Sequence, residues 1–311
     1  MTAERTVPRR HPPRAVVATA VLLLAALCGS AQAQSDEPPP LLAGTLQKIR
    51  ATGSITIGYR ESSIPFSYLS ARGEPIGYSI DLCRQLVDAI GDAIGRAVPI
   101  RWQKVTPDTR IGAVASGAVD LECGSTTSNL ERQRTVAFSP TFFVSGTKLM
   151  VPAASPIRSY GDLAGKRVVV TAGTTNEKTL LDLKQKFKLD FALSSAPDHA
   201  ASFAMLQSGQ VDAFATDDVL LYGLIATANA KGRFMVVGDF LSYDPYGVMY
   251  RKGDADLTRL VDTTFQRLAQ DREIERRYER WFLQKLPSGV SLDLPMSPQL
   301  DTIVQTLAVR P

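Results

Sequence analysis

The sequence predicts an α/β protein of two lobes, each a mostly parallel sheet flanked by helices. Three observations predict it. From residue 54 onward, short β-prone runs alternate with helical runs, the pattern of α/β units. The segment Ser116-Gly-Ala-Val-Asp120 returns as Ser208-Gly-Gln-Val-Asp212, and each half reads as strand, glycine- and hydroxyl-rich loop, helix, this segment, then another strand. Two further β-prone stretches, 136–151 and 246–250, stand where the chain would cross from one half to the other and back. In such sheets ligands sit beyond the carboxyl ends of the strands, so the two halves would face one another across a cleft.

The start of the chain is read as a leader. Arg5, Arg9, Arg10 and Arg14 form a basic segment, residues 15–27 are almost wholly apolar, and Ala31-Gln32-Ala33 is a small-x-small site, so a secretory signal peptide (1–33) cut after Ala33 is expected. Leu27 before Cys28 argues against lipoprotein processing, and Arg9-Arg10 lacks the surroundings of a twin-arginine signal. Residues 34–43, with Pro38, Pro39 and Pro40, read as a flexible mature N-terminus. The chain holds 35 Lys and Arg against 31 Asp and Glu, and the leader's arginines account for most of that excess. A nearly neutral mature part gives no reason to expect nucleic acid or membrane surface as partner. After the leader no apolar run is long enough to cross a bilayer. Cys83 and Cys123 remain; an isolated pair in an oxidising compartment usually bridges, and two cysteines without nearby histidines are a poor metal site, so no metal or cofactor is expected.

The elements follow in order. Residues 54–59 alternate as a strand that delivers Arg60 to its end and stops at Pro65; 65–78 have the Gly and Pro spacing of a hairpin around Ala71-Arg72-Gly73. Residues 79–94 form an amphipathic helix with Ile80, Cys83, Val87, Ile90 and Ile94 on one face. Cys83 thus points inward, where a small buried hydrophobe competes with the disulfide reading. Residues 99–104 are a strand, and Thr106-Pro107 opens a short helix with Arg110 in its first turn. A cation there opposes the helix dipole and hints at an anionic partner, against the alternative of a solvated arginine. Residues 167–171 are a strand ending in Gly173-Thr174-Thr175 before a helix (176–187); 189–193 are a short strand; Asp198 and His199 begin a helix to Gln207. A strand through Ala215 leads to Asp217 and Asp218, which cap a helix (219–228), and 234–237 are another strand. Residues 254–282 are mainly helical, with Ile274, Tyr278, Trp281 and Phe282 on one face that packs on the body rather than on a membrane. The tail beyond Pro287 resists placement.

The loop after the strand at 119–123 carries the chemistry. Gly124, Ser125, Thr126, Thr127 and Ser128 precede a helical turn with Arg132. Unpaired N–H groups at a helix start bind anions, and a guanidinium one turn on adds a fork that fits a carboxylate. The competing reading is a helix N-cap with a surface arginine.

These residues resemble the periplasmic solute-binding proteins of family 3, the polar amino-acid receptors of ABC transporters, and within them the glutamate/aspartate-binding branch. The segments that carry the resemblance are Gly58-Tyr-Arg-Glu-Ser-Ser, Gly77-Tyr-Ser-Ile-Asp-Leu, Glu122-Cys-Gly-Ser-Thr-Thr with Glu131-Arg-Gln, Val168-Val-Val-Thr-Ala-Gly-Thr-Thr, Asp198-His and Asp217-Asp. The resemblance implies the type II periplasmic-binding-protein fold with a two-strand hinge: a discontinuous lobe 1 (44–147 and 243–311) and a lobe 2 (148–242). It implies that Arg132, Ser125 and Thr127 hold a ligand α-carboxylate with help from Thr175. Asp217 would then pair with the α-ammonium, and Arg60, Arg110 and His199 would surround a side-chain carboxylate. The branch carries a serine where this chain has Pro107, which leaves the glutamate-versus-aspartate preference open. Three arginines and one aspartate match a zwitterion with an extra negative charge. His199 as a buried structural histidine and Asp217 as a plain helix N-cap are the competing readings.

The expectation is therefore a monomeric periplasmic receptor that binds an acidic amino acid and presents it to the membrane subunits of an ABC permease, and not an enzyme. The rival is a dehydratase of a prephenate-like acid on the same scaffold, in which His199 or Glu61 would supply the general acid; no nucleophile–base pair favours it. A third reading, an extracellular sensor domain, calls for a membrane anchor and an output module.

Overall fold

The computed structural model describes Thr2 and residues 42–309; the leader, its cut after Ala33 and most of the Pro-rich stretch lie outside the described residues. Two five-stranded sheets organise the chain. The first runs Ile100–Lys104, Ile55–Tyr59, Leu121–Glu122, Met249–Arg251, Val136–Phe138. Its first three strands are mutually parallel, and Met249–Arg251 runs antiparallel to both its neighbours. The second runs Ala192–Ala196, Arg167–Thr171, Ala213–Asp217, Thr147–Pro152, Phe234–Val237, with its first three strands parallel and the last two pairings antiparallel. The chain leaves the first sheet through Phe143–Ser145 and returns through Asp244–Tyr246, and these two crossing segments pair antiparallel.

The repeated Ser-Gly-x-Val-Asp segment does the same work in both halves. Gly117 and Gly209 take φ of 78° and 72°, the left-handed turn that a side chain would strain. The next valine is buried, Val119 fully and Val211 to 4 %. Each aspartate then clamps the start of the neighbouring parallel strand. The Asp120 N–H donates to the Thr56 carbonyl (2.9 Å) and its carboxylate accepts from the Thr56 N–H (2.8 Å); Asp212 repeats this with Arg167 at 2.7 and 2.8 Å.

Helices cover the sheets as the apolar periodicity requires. Tyr78–Ile94 buries Ile80, Cys83, Val87 and Ile90, with Ile94 partly buried. Cys83 and Cys123 are joined, Cα–Cα 6.3 Å, which ties this helix to the end of the Leu121–Glu122 strand. Arg272, at a left-handed φ of 56°, ends the run Ala255–Gln270 before Glu273–Tyr278, and Ile274, Tyr278, Trp281 and Phe282 are all buried in the body. Phe143 and Tyr246, one on each crossing segment, lie with ring centroids 5.7 Å apart. Both also meet Phe66, at 4.8 and 5.1 Å, and Phe143 stacks on Phe282 at 5.1 Å. Tilted and edge-on aromatic pairs contribute about 0.5–1.5 kcal/mol each beyond area burial, so the crossings are seated in the core of the first lobe.

Several expectations shift. The 246–250 stretch is not one crossing strand: the crossing is Asp244–Tyr246, the Gly247 N–H turns aside to the Thr126 carbonyl, and Met249–Arg251 belongs to the first sheet. The strand read at 189–193 is Ala192–Ala196, because Lys188 closes the preceding helix in a left-handed conformation, Leu189 donates back to it, and pairing of Ala192 with Arg167 sets the register. Two helices were not foreseen, Gly44–Thr52 and Pro298–Ala308.

Candidate functional site

Each expected site residue is delivered by the end of an element. Arg60 follows the Ile55–Tyr59 strand, where its N–H donates to Ser67 Oγ (2.9 Å). Arg110 opens the short helix Arg110–Ala115. Thr175 is the first residue of Thr175–Phe187, whose cap is the Thr174 hydroxyl, and His199 opens His199–Gln207 under an Asp198 cap. Asp217 is the last residue of Ala213–Asp217. These strand ends converge, and Arg60, Arg110, Ser125, Thr127, Thr175, His199 and Asp217 line one small cavity, together with Thr174, Asn176 and Leu220. All seven except Thr175 are buried, Arg60, Arg110 and His199 to 2 % exposure.

Arg132 lies beside the cavity rather than on its wall. It is buried, and its guanidinium donates to the Thr127 carbonyl (2.9 Å) and, across the cleft, to the Gly173 carbonyl (3.4 Å). The surface-arginine reading is excluded. The expected helix start in this loop is also absent: Thr127 bridges to Tyr246 and the Ser128 N–H donates to the Pro245 carbonyl (2.7 Å), which holds the loop extended. Only a single 3-10 turn, Arg132–Arg134, follows.

The electrostatics are dominated by burial. Arg60 is pushed down to about 9, first by desolvation and then by the neighbouring Arg110; Arg132 is pushed down to about 10 for the same two reasons. Among the described residues, neither Nη of Arg60 nor Nε of Arg110 has a hydrogen-bond partner, although all are inaccessible to water. A buried guanidinium without partners is strongly unfavourable, so these atoms call for an anion. His199 is held well below its usual value by burial and by Arg60 and Arg110, which keeps its ring neutral near pH 7; its Nδ1 is 2.9 Å from Thr171 Oγ1. Asp217 is pushed up to about 7 by burial and by Asp244. Its carboxylate accepts from Asn176 Nδ2 (2.7 Å) and from the Tyr246 hydroxyl, and makes no helix cap, so it is not a plain N-cap.

Four participants escaped the sequence reading. Glu122, fully buried, accepts from Thr126 Oγ1 (2.6 Å), which itself accepts from Arg110 Nη1 (2.6 Å). This relay is the anionic partner that Arg110's position hinted at. Asp244 sits on the returning crossing segment, and its Oδ1 accepts from both Thr127 Oγ1 and Thr175 Oγ1 at 3.0 Å, one hydroxyl from each side of the cleft. Asn176 bridges Thr147 Oγ1 and Asp217, and Tyr246 holds Asp217 from the crossing. The count of three arginines against one acid was therefore incomplete. No local signal marked these residues: an acid in a short strand, as at Glu122, reads as exposed, and Asp244, beside Pro245, reads as a turn. Among the described residues no group of His, Cys, Asp and Glu is disposed to hold a metal ion.

Gly173 shows how tightly the cleft is shut. At φ 72° it faces residues 107–108 of the first lobe, and an added Cβ would fall 2.8 Å from the Asp108 backbone.

Residues 55–284 match the model of the bacterial extracellular solute-binding proteins, family 3. The chain belongs to that family. It is 43 % identical to the L-glutamate/L-aspartate-binding protein of Pseudomonas aeruginosa, over 88 % of this chain and 91 % of that protein. It is 37 % identical to the glutamate/aspartate import solute-binding protein of Escherichia coli K12, over 92 % and 95 %. Among solved structures it is similar to an ancestral amino acid-binding protein described as a precursor of cyclohexadienyl dehydratase. The TM-score there is 0.66 at 28 % identity, covering 76 % of this chain and 99 % of that one. The two lobes, their mostly parallel sheets and the two crossing segments are the type II periplasmic-binding-protein fold that the resemblance implied. The family is that of extracellular solute-binding proteins, and the two relatives named are binding proteins rather than enzymes. No helix among the described residues is long and apolar enough to cross a membrane.

Proposed function

We propose that this protein is the periplasmic receptor of an ABC importer for an acidic L-amino acid, glutamate or aspartate, and hands it to the membrane subunits of a permease by closing and opening about the two crossing segments. Lobe 1 is taken as 44–147 with 243–311 and lobe 2 as 148–242. The observation that carries the reading is the pair of unpartnered Arg60 Nη atoms, buried in a small cavity walled by both lobes, with Arg110 Nε unpartnered beside them. A side-chain carboxylate at that end would supply the missing acceptors. The α-ammonium would meet Asp217 and the α-carboxylate the Ser125–Thr127 loop, Thr175 and Arg132. Because the Thr127 and Thr175 hydroxyls donate to Asp244, their backbone N–H groups are the donors left for that carboxylate. The relatives' names, glutamate/aspartate-binding, support the same ligand class.

The dehydratase reading is not favoured. Glu61 lies outside the cavity in an ion pair with Lys104 (2.5 Å), and His199 is held neutral with Nδ1 engaged, so the first is not placed, and the second not protonated, to act as a general acid. Calorimetry against the common amino acids tests the proposal: glutamate or aspartate should bind far more tightly than any other. Tight binding of leucine or lysine with none of either acid overturns it.

A further inference from the structure

We propose that Glu122 sets the side-chain charge the site accepts: it offsets one of the two guanidinium charges around the distal end of the cavity, leaving a single positive charge for a single negative one. The inference rests on the acidic-amino-acid reading above and deepens it.

Glu122 is an unusual residue for its place. It ends a strand in the middle of the first sheet, pairing with Gly58 on one side and Met249 on the other, and it is fully buried. Burying a carboxylate is unfavourable unless charges of the opposite sign surround it. Its Oε2 accepts from the Thr126 hydroxyl, which receives Arg110 Nη1, while Oε1 has no partner among the described residues. Gly124 makes room for it: a Cβ at that position would lie 2.4 Å from Glu122 Oε1 and 3.0 Å from Arg60 Cγ, so acid and arginine stem flank the same bare backbone. Two arginines and one glutamate thus share a compartment closed to solvent. An amide ligand of the same shape leaves that compartment one positive charge in excess, a single carboxylate balances it, and a dianion overshoots.

A merely structural Glu122, present only to hold Arg110 in position, makes a different prediction. It would affect stability and the affinity for every ligand alike. A series of near-isosteric ligands with side-chain charges of zero, minus one and minus two separates the two roles. The probes are glutamine, glutamate and 2-amino-4-phosphonobutyrate above its second phosphonate ionisation. Calorimetry on the wild type should find its optimum at glutamate. In Glu122→Gln the optimum should move toward the dianion, with the phosphonate-to-glutamate and glutamate-to-glutamine affinity ratios each rising about tenfold or more. That is the scale of one unit charge acting over several ångströms at an effective dielectric of about 20.

Ratios unchanged between the two proteins overturn the proposal, as does a wild type that already prefers the dianion. If the phosphonate is too large to bind either protein, the glutamate-to-glutamine ratio decides alone. Thr126→Val, which removes the hydroxyl relay and keeps the charge, should weaken binding without moving the ratios; a shift as large as that of Glu122→Gln would place the effect in the relay and sink the charge argument. Should Glu122→Gln not fold, a wild type that prefers the dianion or a Thr126→Val shift in the ratios still overturns the proposal. Failure of wild-type protein to bind glutamate or aspartate at all would be seen separately, in the reference arm, and would refute the ligand class rather than the role of Glu122.

Discussion

Arg60 combines full burial with a guanidinium whose two terminal nitrogens find no acceptor among the described residues. That combination lets binding and stability be separated. Arg60→Met should lower affinity for an acidic amino acid about tenfold to a hundredfold, the value of one desolvated charge-assisted hydrogen bond. It should leave the melting temperature of the ligand-free protein unchanged or raised, since an unpartnered buried charge is removed. Calorimetry and thermal unfolding on one preparation check both. Asp217 gives a pH prediction. Its folded value, about 7, lies above that of an unfolded aspartate, so its ionisation opposes the ligand-free closed state increasingly as pH rises toward 7. A ligand ammonium favours the ionised form. Binding should therefore release protons near neutrality, and affinity should fall as pH drops below about 7. Calorimetry in buffers of different ionisation enthalpy measures the release, and an Asp217→Asn variant should abolish it. Arg110's place against the helix dipole was a signal in the residues themselves, whereas the roles of Arg60 and His199 came from the resemblance to the family. Glu122 and Asp244 were not legible, because an acid reads as exposed until the fold shows which buried cationic or hydroxyl groups surround it.

At the scale of elements, the Tyr78–Ile94 helix supports the ligand loop at two points. Cys83 is bonded to Cys123, and Ser79 Oγ donates to the Gly124 carbonyl (2.8 Å). Replacing both cysteines by serine should lower stability by about 2–4 kcal/mol and should weaken ligand binding, because the loop that carries Ser125 and Thr127 loses its covalent support. Denaturant unfolding with and without reductant, run beside calorimetry, tests this; a loss of stability with full affinity would show the loop to be held by Ser79 and the Pro245 contact instead. The repeated Ser-Gly-x-Val-Asp segment was read from the sequence as a sign of two similar halves, and its aspartates clamp equivalent parallel strands. The helices Gly44–Thr52 and Pro298–Ala308 were missed for a physical reason. The first is short and held by Asp254, which accepts from the Thr45 N–H (2.7 Å) from across the chain. The second buries only Leu300, Val304 and Leu307, so its apolar signal is thin.

At the scale of the whole molecule, the site exists only because the lobes meet. Asp244 accepts from one threonine of each lobe, Arg132 donates across the cleft to Gly173, and Gly173 admits the 107–108 backbone. Asp244→Ala should therefore favour the open form. Small-angle scattering should show a larger radius of gyration without ligand than with it, and more ligand should be needed to close the variant than the wild type. Equal closure in both would mean that Asp244 does not clasp the lobes. By itself the sequence determined the α/β class and the two halves, since periodicity and glycine turns are local properties of the chain, and its resemblance to the family supplied most of the residues that reach the cleft. Only the tertiary structure decided which charges face one another. Asp244 and Tyr246 take part through partners tens of residues away, Glu122 through a hydroxyl and a guanidinium that the fold turns toward it, and Coulomb energy and burial depend on distance in space, which no local pattern encodes.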